Sequence, residues 1–280
     1  MVRTFLDGFS KALEKELLRQ IKSIWTHNST AIEGNTLTLG ETDFILTEGL
    51  TISGKSIREH EEVYGHARAI DLVLDLVKSS ENFSVDENYL FNLHRAVQTN
   101  IETDVLSPVG SWKIVSNYVS ILKEDKFVNM EYPRPGFIPK LMEAWINEFN
   151  QRLSKVHKEE DILDIYTKCH LEFVTIHPFS DGNGRMARLL SNIPVIKSGY
   201  PPVVIQNKNR SEYLKIISEF SGRIENIQNL KDYQKLHENN FDMKDFKDLC
   251  SNEWLETIKL VKTFKDKQKE ENKVIASRSR

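Results

Sequence analysis

Apolar side chains return at helical spacing along most of this chain, and that period suits an α-helix and excludes a strand over the same stretch. The pattern runs through Phe9 to Ile32 (Phe9, Leu13, Leu17, Ile21, Ile24), where Gly34 is placed to stop the helix. It returns in Phe44 to Leu50, Ile57 to Val77, Glu87 to Val97, Phe137 to Phe149, Ile162 to Thr175, Arg185 to Lys197, Tyr213 to Phe220 and Phe241 to Val261. The fold class is therefore mainly α, a helical bundle. The exception is Trp112 to Phe127, rich in β-branched and aromatic residues around a polar centre, which reads as a short β-hairpin. A chain of 280 residues can bury one large core without disulfide staples, and its two cysteines, Cys169 and Cys250, lie in no CxxC spacing.

The alternation of charged and apolar residues at the N-terminus gives neither a signal peptide nor a membrane anchor, so a cytoplasmic location is the expectation. With 38 basic against 41 acidic residues, the overall charge does not point to nucleic acid. The boundaries expected are an N-terminal helical segment over 1–34, a core over 35–262 and a charged, disordered tail over 263–280.

The twelve-residue stretch HPFSDGNGRMAR, His177 to Arg188, leads directly into an apolar helical pattern at Leu189, Leu190, Ile193 and Ile196. A loop feeding a helix start presents unpaired backbone N–H groups and the positive end of the macrodipole, and Gly182 and Gly184 let the backbone approach an anion closely. Arg185 and Arg188 share one helix face and bend back towards that N-terminus, where a planar fork grips phosphate oxygens. Asp181 supplies the hard oxygen that Mg takes alongside substrate phosphates. His177 is the side chain here best suited to accept a proton near neutral pH. Taken singly, each of these residues is as well explained by a turn or a solvated surface; their convergence in one stretch is not.

HPFSDGNGRMAR resembles the signature of the Fic (Fido) family, HxFx(D/E)GNGRxxR, with every fixed position matched. STAIEGN at Ser29 to Asn35 is similar to the family's inhibitory motif, (S/T)xxxE(G/N). SGYPPVVI at Ser198 to Ile205 and RSEY at Arg210 to Tyr213 resemble the segments that follow the signature. The resemblance implies AMP transfer from ATP to a Ser, Thr or Tyr hydroxyl of a target protein, or of the protein itself. His177 would then be the general base and Asp181 the Mg ligand. Gly182, Asn183 and Gly184 would hold the α-phosphate, Arg185 and Arg188 the β- and γ-phosphates, and Tyr213 and Asn239 would complete the nucleotide pocket. The hairpin near Lys113 to Leu122, centred on Val115, Ser116, Asn117, Tyr118 and Val119, would be a flap that pairs with the target's backbone. A homodimer is a further arrangement seen among relatives.

Glu33 stands near the end of the first helix, where the macrodipole disfavours a carboxylate and a cation partner would offset it. A capping box between Thr30 and Glu33 is the local alternative. The resemblance supplies the cation, Arg188, with Ser29 one turn earlier on the same face. A pair worth roughly 3 kcal/mol would hold back ATP about a hundredfold. In some relatives the same glutamate is linked to removal of AMP, so a two-way enzyme is a further expectation.

GLTISGKS, Gly49 to Ser56, fits the P-loop expression, but the polar, helix-like ETDFILTEG before it offers no buried strand, so it reads as a loop. Three departures from the family pattern stand out: Pro194 inside the helix after the signature, Leu214 where some relatives carry a second aromatic, and the polar stretch Gly222 to Asn240. Competing readings are transfer of phosphate, UMP or phosphocholine, and a non-catalytic nucleotide-sensing module.

Overall fold

The computed structural model describes residues 4–80, 82–98, 104–123, 126–236 and 243–278, and nearly every stretch of helical period in them is helix. Ser10 opens α1 (Lys11–Ile32) by accepting from the Leu13 N–H at 3.4 Å. Its apolar stripe buries Leu17, Ile21, Trp25 and Ile32, each contributing about 2 kcal/mol by leaving water. The helix ends at Glu33, whose N–H reaches Thr30 O at 3.0 Å; Gly34 then turns the chain at φ 105°, a conformation that favours glycine. Thr30 is thus in a last helical turn, not a first one, which removes the capping box there. The capping boxes lie elsewhere. Thr38 with Glu41 opens α2 (Leu39–Glu48), earlier than the apolar period showed, and Ser56 with Glu59 opens α3 (Ile57–Ser79). GLTISGKS is the connection between them, and Lys55 is occupied with Thr36.

After α4 (Glu87–Val97) comes an irregular segment and then an antiparallel hairpin, β1 (Tyr118–Lys123) and β2 (Lys126–Glu131), with Tyr118 opposite Glu131. The hairpin lies further along the chain than Trp112 to Phe127. Residues 112–117 are loop, because Lys113 and Asn117 turn inward to bond the chain beside them, and VNME completes the second strand. Of the expected flap residues, Val115, Ser116 and Asn117 precede the strand and only Tyr118 and Val119 lie in it.

The remaining helices are α5 (Ile138–Leu153), α6 (Glu159–Ile176), α7 (Asn183–Leu190), α8 (Asn192–Lys197), α9 (Arg210–Gly222) and α10 (Lys244–Arg278). Every residue from Cys169 to Ile176 is buried, so α6 runs through the interior, touching α5, α7, α8, α9 and α10. Trp145, Phe149, Tyr166, Phe173 and Phe179 form the large-residue core around it, and Arg152 donates twice to the buried Glu172 carboxylate, at 2.7 and 2.8 Å. The period over Arg185 to Lys197 is two helices. The break falls at Ser191, three residues before Pro194, whose ring clashes with the preceding turn and whose missing N–H leaves a carbonyl unpaired.

The stretch from Gly222 onward is polar in composition but buries Ile224, Ile227, Leu230, Tyr233 and Leu236 in short turns, and Asn239 lies outside the described residues. The tail expected from 263 is instead the continuation of α10 as far as Arg278: Lys, Glu and Gln are good helix formers, Phe264 is buried, and Gln268 accepts from the Ser10 N–H. No helix among the described residues is long and apolar enough to cross a membrane.

Candidate active site

His177 ends α6 in the left-handed region, φ 53° and ψ 59°, with its N–H bonded to Phe173 O at 3.0 Å. Gly182, at φ 77°, turns the chain into α7. Between these two turns Asn183 reaches back, accepting from the Phe179 N–H at 2.9 Å and donating to Phe179 O at 2.8 Å, which closes the loop with a side-chain rung. Its amide is thereby committed to the protein, so its contribution to an anion cradle is its backbone N–H and not its side chain. No side chain caps α7, and the first intrahelical bond is Met186 N–H to Gly182 O, so the N–H groups of Asn183, Gly184 and Arg185 face outward together.

The His177 imidazole is partly buried and stacks on Tyr132, ring centroids 3.8 Å apart and 13° from parallel. Its Nδ1 lies 3.2 Å from Val174 O, which can only accept, so Nδ1 carries the hydrogen and Nε2 keeps a free lone pair. Burial, and then the charge of Lys113, push its pKa down to about 3, against the opposing pull of Val174 O and Asp181. The ring is a neutral acceptor at neutral pH.

Lys113 itself is buried, and burial lowers its pKa to about 7. Its N–H bonds Pro178 O at 2.9 Å and its ammonium donates to Asn117 Oδ1 at 2.6 Å, while Asn117 Nδ2 donates to Phe179 O at 3.0 Å. The root of the hairpin is therefore pinned to the His177 loop.

Asp181 projects from the loop with its side chain 66% exposed. Its Oδ2 accepts from Gln98 Nε2 at 2.8 Å and from Arg185 Nη2 at 3.3 Å, while Oδ1 has no side-chain partner among the described residues. Burial would raise its pKa, but Arg185, Gln98 and the Gly182 N–H outweigh that and hold it below the usual carboxylate value. An ionised carboxylate with one oxygen clear of other side chains suits a Mg ion, which takes its other ligands from water and phosphate. No trio of His, Cys, Asp or Glu side chains that could hold a metal ion gathers among the described residues. His94 steadies the same residue from behind. It stacks on Phe179 at 3.8 Å, accepts from the Gly110 N–H at 2.9 Å through Nδ1, and so donates to Asp181 O at 3.0 Å through Nε2.

Arg188 is 2% exposed and turns towards α1. Its Nε donates to Ser29 Oγ at 2.9 Å, and its Nη2 to Ser29 O at 2.8 Å and to Glu33 Oε1 at 2.7 Å. The expected pairing of Glu33 with Arg188 is thus present, with Ser29 beside it. Tyr213, expected against a nucleobase, is buried; its hydroxyl accepts from Arg188 Nη1 at 3.0 Å, so the ring is a core residue and its oxygen serves the guanidinium. His94, Gln98 and Tyr132 carry no signal in the sequence, since nothing about their spacing ties them to the His177 loop.

Residues 84–194 match the family model described as the Fic/DOC family. The protein adenylyltransferase fic-1 of Caenorhabditis briggsae is 33% identical over 199 residues, covering 71% of this chain and 36% of that protein. Protein adenylyltransferase Fic of Nematostella vectensis is 34% identical over 197 residues, covering 69% of this chain and 42% of the relative. The chain thus spans well under half the length of these curated relatives. A Fic domain containing signaling protein from Bacteroides thetaiotaomicron has the same fold, with a TM-score of 0.75 at 24% identity over 92% of this chain and 93% of the other. Fic-1 from Caenorhabditis elegans superposes with a TM-score of 0.66 at 24% identity over 94% and 69%. With its signature loop, its helix start and its hairpin arranged as above, the chain belongs to the Fic/DOC family.

Proposed function

We propose that this protein transfers AMP from ATP to a hydroxyl side chain of a target protein, and that Glu33 restrains it. The observation that carries this reading is the neutral His177, with Nε2 free, at one end of a loop whose other end gathers the α7 N–H groups, the free oxygen of Asp181 and two guanidinium groups. The names of the relatives, protein adenylyltransferases, support it.

His177 Nε2 takes the proton of the attacking hydroxyl as the oxygen bonds to the α-phosphorus. The bond from that phosphorus to the bridging oxygen breaks, and pyrophosphate leaves. The α7 N–H groups neutralise the α-phosphate, and Arg185 and Arg188 the β- and γ-phosphates. Asp181 would hold Mg, which supplies charge neutralisation for the triphosphate when bound. The hairpin offers free strand edges on which a target segment can pair. Glu33 occupies Arg188, a guanidinium the triphosphate needs.

The test is incubation of Glu33→Gly protein with ATP labelled at the α-phosphate, Mg and lysate. Labelled bands that vanish with His177→Ala support the reading. Label arriving only from γ-labelled ATP, or none at all, overturns it.

A further inference from the structure

Arg188 has more than one hold on it, and the holds come from different sides. Ser29 takes Nε through its hydroxyl and Nη2 through its carbonyl; Tyr213 takes Nη1 from the core. The hydroxyl of Tyr213 accepts from Arg188, so its own hydrogen points to His170 Nε2, 2.9 Å away. That fixes a one-way chain of donors, Arg188 to Tyr213 to His170, inside the core.

What these bonds leave over is one N–H on each Nη, an edge with the fork shape that phosphate and carboxylate both fit. Glu33 Oε1 takes one of the pair. Gly184 bounds the same space: a Cβ there would come within 2.6 Å of Glu33 Oε1 and 3.1 Å of Arg188 Nη1. The bare backbone at the start of α7, the two leftover N–H groups and the carboxylate therefore share one small slot.

We propose that Ser29 and Tyr213 are positioning residues that hold Arg188 with this edge turned to the slot, in the pose that receives phosphate, and that the Glu33 carboxylate stands in for a phosphate oxygen. Ser29 thus assists nucleotide binding and is no part of the restraint, although it lies one turn from Glu33 and is matched with it in the inhibitory motif. Release requires the departure of one carboxylate, with Arg188 left where it is. This rests on the reading of Arg188 as a phosphate-binding arm.

The experiment measures binding of ATP and of AMP by calorimetry to Glu33→Gly protein, and to the same protein carrying Ser29→Ala, Ser29→Thr or Tyr213→Phe in addition. Each lost bond to a buried cation should weaken ATP about tenfold, while AMP, which lacks the phosphates Arg188 serves, should bind unchanged. Ser29→Thr, which keeps the hydroxyl, should retain ATP affinity. Ser29→Ala with Glu33 present should leave AMP transfer at or below its starting rate. A rise in transfer with that single change, equal ATP affinity across the set, or a parallel loss of AMP and ATP affinity overturns the inference. Failure of Glu33→Gly itself to bind ATP refutes the parent reading of the site instead.

Discussion

The rings of Tyr132 and His177 lie 3.8 Å apart and nearly parallel, so the residue just beyond the hairpin covers the proposed general base. Covered in this way and facing Lys113, His177 has a pKa near 3 instead of its usual 6.5. Nuclear magnetic resonance of the ring should show no titration between pH about 8 and about 5, where an ordinary histidine changes charge. Lys113→Met should raise the His177 pKa, and an unchanged value would refute the electrostatic link. The sign for stability follows: the unfolded chain takes up the proton first, so the contribution is complete above pH 6.5 and is lost as pH falls towards 3. Burial lowers the pKa of His66, His94 and His170 as well, so melting temperature should fall on acidification through this window.

Glu33 is 39% exposed on its side chain while Arg188 is 2% exposed. Solvent screens such a half-open pair, so about 1.4 kcal/mol is a better measure of its grip than a fully buried bridge, and the restraint comes to about tenfold. Glu33→Gly should tighten ATP and raise AMP transfer by that order, read by calorimetry and α-label incorporation; no change in either would refute the restraint.

Gln98 donates to Asp181 Oδ2 at 2.8 Å, behind the proposed Mg ligand. Partners behind a metal ligand typically matter by 10- to 100-fold. Gln98→Ala should raise the Mg concentration for half-maximal transfer by about tenfold, and saturating Mg should restore most of the rate.

Asn117 joins the hairpin root to the loop through Lys113 and Phe179 O. Losing bonds worth about 1 kcal/mol each should loosen the strand proposed to receive the target. Asn117→Ala should raise KM for the protein target about fivefold while KM for ATP holds; a matched rise in both would show a damaged loop instead.

The site was legible where it is contiguous. His177, Asp181, Gly182, Gly184, Arg185 and Arg188 occupy one loop and helix start, so their convergence follows from local backbone rules. Glu33 was legible through its helix end. What stayed hidden comes from elsewhere in the chain: Gln98 and His94 reach Asp181 only because α4 packs on α7, a long-range contact that leaves no mark on local spacing. The hairpin was placed too early because β-branched residues at Ile114 and Val115 imitate a strand, whereas inward bonds from Lys113 and Asn117 hold that stretch in a loop. Tyr213 was expected to complete the nucleotide pocket, and only packing shows its ring in the core with its hydroxyl on Arg188. Phe264 anchors α10 in the core beyond residue 263, which charge composition alone could not show.

The left-handed turn at His177 sets two demands on one backbone position. Ending α6 there favours glycine, since a side chain at φ 53° is strained, yet the proposed proton transfer needs an imidazole. His177→Ala and His177→Gly both forfeit the ring, but only the glycine also relieves the turn. The glycine variant should therefore melt about 3 °C above the alanine one, roughly 1 kcal/mol, as differential scanning calorimetry can check. It is the sounder blank for labelling experiments, and on the proposed function a comfortable helix ending and a proton acceptor are rival uses of a single residue.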